Sequence, residues 1–332
     1  MMIHDGEHDD AIDVERIERD RERYARHKAV CERHPVAPGE VRTTPPPAVD
    51  VEALSPDLKG RGRTAVRLHP RFGQEPPADA SKLGGRFLWP ADEPWPTCAT
   101  HRIPYAAVLQ LCAEEYPEVA FRPGTDLMQL LWCPRDHDTW VEPALFWRRR
   151  ADVVRPLGET PASERAFLEY VPLPCRLLPE RVVEYPGIYD LYQLGVYDDP
   201  ADTALGRALA EWGRRTERGG DLCEFYDFEL STSPGVKVGG YTRMVERSEW
   251  PVCRCGRAME YLLTIASVEW GQYGAPRWCP LEDRGRDEAT RWEEIEYVCQ
   301  AHGLKLGDNG SIAFFLCRSC PDWPVRHVTF TG

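Results

Sequence analysis

Eight residues of this 332-residue sequence stand at spacings that suit a tetrahedral metal ion. Cys253-x-Cys255-Gly256 and Cys317-x2-Cys320-Pro321 are two short loops, each able to present two thiolates, with Gly256 freeing the backbone where amides approach sulfur. Earlier in the chain, Cys98-x2-His101 and Cys133-x3-His137 offer two thiolates and two imidazoles in the same order. Four protein ligands close a zinc shell, whereas a hydrolytic zinc keeps one position open for water, so the spacing predicts two structural zinc sites. A catalytic version would need His137 outside the shell and Asp136 or Asp138 as the base. Cys299-x2-His302 has no counterpart elsewhere and reads as a buried thiol and a loop histidine. Cys31, Cys112, Cys175, Cys223 and Cys279 lack ligand-like partners at short spacing and read as small core residues.

The elements that must position these ligands occur twice. Lys82-Leu83-Gly84-Gly85 leads to Trp95-Pro96-Thr97-Cys98, and Lys237-Val238-Gly239-Gly240 leads at the same distance to Trp250-Pro251-Val252-Cys253. Apolar runs follow in each half. They are Val108–Leu111 and Leu262–Ile265, then Leu127–Pro134 and Ile312–Cys317, short enough to be buried strands. The simplest account is an α+β fold made of two pseudo-equivalent β-rich halves. We delimit a charged helical extension over 1–34, a Pro-rich linker over 35–60, a first half over 61–150, connecting strands and a helix over 151–230, and a second half over 231–332. The extension carries a thin apolar stripe, Val14, Ile17, Tyr24 and Cys31, and reads as a loosely docked or mobile helix. Asp199 to Gly219 reads as an amphipathic helix with Leu205, Leu209 and Trp212 on one face, and the charged stretch from Glu282 to Glu296 as an exposed insertion.

Composition narrows the function. With 41 Lys and Arg against 54 Asp and Glu, the net charge of −13 opposes general binding to nucleic acid or an anionic membrane and favours a basic partner. No apolar run approaches a membrane span, and the acidic start, Met1 to Asp10, resembles no export signal, which predicts a cytoplasmic protein with reduced thiols. Phosphate-loop, His-Glu-x2-His, Gly-x-Ser-x-Gly and EF-hand patterns are missing. The two Lys-x-Gly-Gly turns, Lys82, Gly84 and Gly85 with Lys237, Gly239 and Gly240, either cradle an anion through their amides or let a strand turn tightly. Most of the eleven tryptophans should be core or should cap the zinc loops.

The segments SKLGGRFLWPADEPWPTCATH, VLQL, GTDLMQLLWCPRDH, GVKVGGYTRMVERSEWPVCRCG and GDNGSIAFFLCRSCPDWP together resemble the YwqG-like family of bacterial proteins, from about Leu68 to the C-terminus. The resemblance implies an α+β fold of two sheet-containing halves and, since the family has no established activity, little about chemistry. In many members a Gln-containing stretch follows the second turn, where this chain has Met244-Val245-Glu246. Some relatives are encoded near toxin systems, which implies a protective, toxin-binding role, while the closed ligand sets, the missing catalytic patterns and the −13 charge point to a non-enzymatic protein that binds a basic partner. The alternative is a small-anion-binding protein or zinc-dependent enzyme with a cleft between the halves.

Overall fold

The computed structural model describes residues 6–34, 39–138, 140–193, 203–217, 219–243, 249–270, 276–284 and 299–330. Met244-Val245-Glu246, Asp199 and most of the charged insertion lie outside the described residues. The chain divides into two units, each assembled from three separate stretches. Unit 1 holds Met1–Pro38, Pro70–Leu177 and Thr290–Leu306, and unit 2 holds Gly39–His69, Leu178–Ala289 and Gly307–Gly332. With helices beside two antiparallel sheets, the class is α+β.

Unit 1 contains a six-stranded antiparallel sheet in the order β2 (Arg71–Phe72), β7 (Cys175–Arg176), β3 (Lys82–Leu83), β4 (Ala106–Cys112), β5 (Leu127–Trp132) and β6 (Pro143–Arg148). Every residue of β4 and β5 is buried, which explains their near-continuous apolar runs. Two polar side chains interrupt those runs and satisfy each other. Gln129 Nε2 donates to Gln110 Oε1 at 2.8 Å, while the Gln110 amide group donates to Ala78 O and Ala80 O. Buried amides need such partners, because an unpaired one costs about 1–3 kcal/mol.

The long helix α1 (Gly6–Arg33) belongs to this unit and is held from Arg16 onward. Arg16 pairs with Asp136 and Glu169 and lies over the Phe167 ring, Asp20 accepts from Glu169 N, and Arg23 donates to Gly303 O. His27, Val30 and Cys31 are buried, whereas Val14 is exposed. Of the apolar stripe read in the sequence, Cys31 is buried and Ile17 and Tyr24 are half-buried, and the docked face adds hydrogen bonds through Arg16, Asp20 and Arg23 that a hydrophobicity pattern does not register.

Unit 2 contains the sheet β12 (Val325–Phe330), β11 (Ser311–Leu316), β10 (Glu260–Ala266), β9 (Lys237–Gly239), β1 (Arg63–Arg67) and β8 (Glu180–Glu184), again wholly antiparallel. Its β10–β11 pair has a register shift between Tyr261 and Leu263, and the β4–β5 pair of unit 1 has one between Ala107 and Leu109. A second core lies under α2 (Val51–Leu54), α3 (Ile188–Gln193), α4 (Ala204–Thr216) and α5 (Leu222–Phe225). Thr203 caps α4 through Gly206 N, and Leu205, Leu209 and Trp212 face inward, with Trp212 stacked on Phe225 at 4.9 Å. Residues 39–60, whose prolines suggest a linker, are packed into this unit. Val51, Leu54 and Leu58 are buried there, and the buried Arg42 pairs with Asp283. No helix among the described residues is long and apolar enough to cross a membrane.

Candidate metal centres

In unit 1 a hairpin-like turn sets the first two ligands. Cys98 N donates to Ile103 O, Arg102 N returns to Cys98 O with Arg102 in the left-handed region at φ 55°, and His101 N points at Cys98 Sγ from 3.3 Å. The second pair follows β5, where Cys133 N donates to Glu142 O and places Cys133 under the turn. Cys98, His101, Cys133 and His137 then converge, their donor atoms all within 4.8 Å of one another. Cys98 Sγ lies 3.6 Å from His101 Nδ1 and 3.7 Å from His137 Nε2, and Cys133 Sγ lies 3.3 Å from His101 Nδ1. Metal–sulfur and metal–nitrogen bonds of about 2.3 and 2.0 Å in a tetrahedron imply S···N edges of about 3.5 Å, so the set fits one ion.

Unit 2 repeats the construction with sulfur alone. Cys253 N donates to Arg257 O, Gly256 N to Cys253 O with Gly256 at φ 82°, and Cys317 N to Pro324 O. Cys253, Cys255, Cys317 and Cys320 gather within the same 4.8 Å limit, with Cys253–Cys320 and Cys255–Cys317 each 3.6 Å apart. The S···S edge of a tetrahedral thiolate site is about 3.8 Å. All eight residues singled out by spacing are thus brought together in their two sets of four. Cys299 and His302 are both buried and join neither, and of the unassigned thiols Cys31, Cys112 and Cys175 are buried while Cys223 and Cys279 are half-buried.

Each cluster is bracketed by tryptophans in matching roles. Trp95 Nε1 donates to Tyr105 O and Trp250 Nε1 to Met259 O, both at 2.9 Å, clamping the first ligand turn. Three residues beyond the last ligand, Trp140 N donates to His137 O and Trp323 N to Cys320 O, and both tryptophans adopt positive φ, 69° and 46°. A bulky residue in that region is strained, so its presence at the same step of both loops marks a shared geometric demand. Trp-at-plus-three is legible in the sequence and is a signal that the ligand spacing alone passes over.

The electrostatics of the two sets differ. In unit 1 burial pushes the Cys133 thiol up to about 12, and burial together with the neighbouring His137 lowers His101. At the other cluster a backbone hydrogen bond from Arg257 brings the exposed Cys255 down to about 7, while a hydrogen bond with Cys253 holds Cys320 up at about 12. The lowering at Cys255 favours its thiolate, the form that ligates a cation.

A carboxylate that the spacing did not indicate stands beside the first set. Glu142 Oε2 lies 3.3 Å from Cys98 Sγ and 3.7 Å from His137 Nε2, with its side chain 44% exposed. Asp136 is instead tied to Arg16 and to the Tyr170 hydroxyl; burial opposes its charge, yet these hydrogen bonds hold it below the usual carboxylate range. Asp138 is exposed and lies outside both sets. If either cluster had a base at hand, it would be Glu142 rather than the two aspartates.

The Lys-x-Gly-Gly turns carry internal partners. Lys237 Nζ sits 2.7 and 2.8 Å from the Glu184 carboxylate and donates to Tyr241 O, and Glu184 also receives Tyr241 N and Ser233 N. Lys82 Nζ, equally buried, donates to Pro76 O, Pro77 O and Arg86 O. A Cβ on Gly240 would run into Glu184 and Ala65, and one on Gly84 would come 2.6 Å from Pro172 O. Gly239 stands at φ 69°, and Gly85 at φ 72° beside Glu75. The Glu184 turn does hold an anion, and the anion is the protein's own. No family model matches the chain, and no curated protein matches it either.

Proposed function

We propose that the chain is a non-enzymatic binding protein built from two copies of one sheet unit, each copy clipped by a structural zinc ion. The observation that carries this reading is the equivalence of the two four-donor sets. Each joins the turn before one central strand (β4 or β10) to the loop after the next (β5 or β11), and each is flanked by the same tryptophan contacts. Strand order β3-β4-β5-β6 in one sheet and β9-β10-β11-β12 in the other, with matching register shifts, supports the duplication. Thiolate and imidazole donors at tetrahedral edge lengths favour zinc over harder ions. Placement with the YwqG-like proteins rests on the motif segments quoted above, and a basic protein partner, such as a toxin that the chain neutralises in the cytoplasm, on the −13 charge.

Native mass spectrometry of protein purified without a metal-chelating tag tests the zinc assignment. Two zinc ions per chain are expected, and a metal-free folded chain would overturn it. Cross-linking at low salt tests the partner, since recovery of no basic protein from the source cell lysate would count against that part of the reading.

Glu142 supports a second reading, a metal-assisted hydrolase at the first cluster, because a half-exposed carboxylate beside Cys98 and His137 would be the general base if a metal held there kept a position open for water. The visible spectrum of the cobalt-substituted protein separates the two. Two intense tetrahedral signatures favour closed sites, and one weak five-coordinate signature favours hydrolysis.

A further inference from the structure

The two Lys-x-Gly-Gly turns hold carboxylates in the same way but with unequal security. Arg86 N donates to Glu75 Oε1 at 2.7 Å in unit 1, and Tyr241 N donates to Glu184 Oε2 at 2.9 Å in unit 2. Glu184 is buried and locked by Lys237 and Ser233. Glu75 is exposed, on a Gly73-Gln74-Glu75-Pro76-Pro77 loop, and the Arg86 amide is its one hydrogen-bond partner among the described residues.

The charges beside the turns differ in the same direction. Residues directly opposite on antiparallel strands share a face. In unit 2 the row across β8, β1 and β9 reads Glu180, Arg67, Lys237, and each cation has a carboxylate beside it, Arg67 with Glu180 and Lys237 with Glu184. In unit 1 the row across β2, β7 and β3 reads Arg71, Arg176, Lys82, three cations in succession. The Arg176 side chain makes no hydrogen bond or ion pair with another described residue, and it lines a cavity of about 1240 Å³ that Glu75, Gly85 and Arg86 also line. The rest of the wall includes Tyr24, Phe72, Tyr105, Pro134 and Pro172. A cavity of this size whose wall is mainly apolar, with Gln74, Ser81, Glu159 and Thr160 among its polar members, has the character of a small-molecule site.

We propose that this cavity binds a small organic carboxylate, whose headgroup replaces Glu75 on the Arg86 amide and pairs with Arg176 while its apolar body lies against the aromatic and prolyl wall. Glu75 is then a tethered plug that mimics the ligand headgroup. The proposal stands independently of the metal reading.

Calorimetric titration of the full, metal-loaded chain with phenylacetate tests it, with inorganic phosphate as a second probe. Glu75→Ala removes the internal competitor and should tighten phenylacetate binding about tenfold, as expected when a binding-competent state rises from a minor to the major population. Arg176→Ala should weaken it about tenfold or more through loss of a charge-assisted hydrogen bond. In the unaltered protein the Arg86 amide resonance should shift with the same saturation curve, a readout that holds even if a variant misfolds. A still Arg86 amide, unsaturable heats for Glu75→Ala, an Arg176→Ala variant that binds as well as the unaltered chain, or phosphate binding as tightly as phenylacetate would each overturn the proposal.

Discussion

Two sheets of nearly the same design surround their polar groups differently. In unit 2 the buried lysine meets a buried glutamate, and the candidate metal-ligand set is all sulfur with no carboxylate in it. In unit 1 the matching lysine meets only carbonyl oxygens, and the ligand set mixes sulfur with imidazole beside Glu142. The lesson is that unit 2 closes its charges internally, whereas unit 1 leaves cationic and metal-adjacent positions facing solvent or a cavity. A scaffold role suits the first arrangement and ligand binding the second.

The largest test of that contrast removes a ligand from each set. Cys253→Ser and Cys98→Ser should each lose one metal ion per chain by native mass spectrometry. Because structural zinc contributes on the order of 10 kcal/mol to small metal-dependent folds, circular dichroism should show loss of folding in the affected sheet. If Cys98→Ser keeps its fold and only Cys253→Ser loses it, the first site is the functional one.

Next in size are the lysines. Lys237→Met strands the buried Glu184 carboxylate and should cost about 3–5 kcal/mol in urea unfolding. Lys82→Met strands carbonyl oxygens near the surface loop at Pro76 and Pro77, which water can reach, and should cost about 1–2 kcal/mol. Equal losses would break the comparison.

A pH titration sharpens it further. Burial lowers Lys82 to about 8, below its ordinary value of 10.5. Between these values the unfolded chain binds the proton that the folded chain has released, so Lys82 adds stability as pH rises through that window. The stability of the unaltered chain relative to Lys82→Met should therefore rise by up to about 2 kcal/mol from pH 8 to 10.5. A flat difference would mean that the three carbonyls keep the ammonium charged.

The smallest expected effect is that of Glu142→Gln. As a half-exposed side chain it should change stability by no more than about 0.5 kcal/mol. The cobalt spectrum of the first site should nevertheless shift while that of the all-sulfur site stays fixed, and an unchanged spectrum would remove Glu142 from the metal environment.

Some of this was determined by the sequence alone. Ligand spacing within each loop, the paired Lys-x-Gly-Gly and Trp-Pro-x-Cys marks, the apolar runs of β4, β5, β10 and β11, and the inward face of α4 are local patterns, readable because a turn or a strand period sets which side chains share a face. Tertiary structure decided what each buried charge meets. Glu184 reaches Lys237 across 53 residues of sequence, Glu142 arrives at the first cluster because the chain reverses between β5 and β6, and α1 docks through Arg16, Asp20 and Arg23 as well as through part of its apolar stripe. No periodicity encodes such partners. A buried polar group is costly until a specific distant residue satisfies it, and that pairing exists only once the sheets have closed.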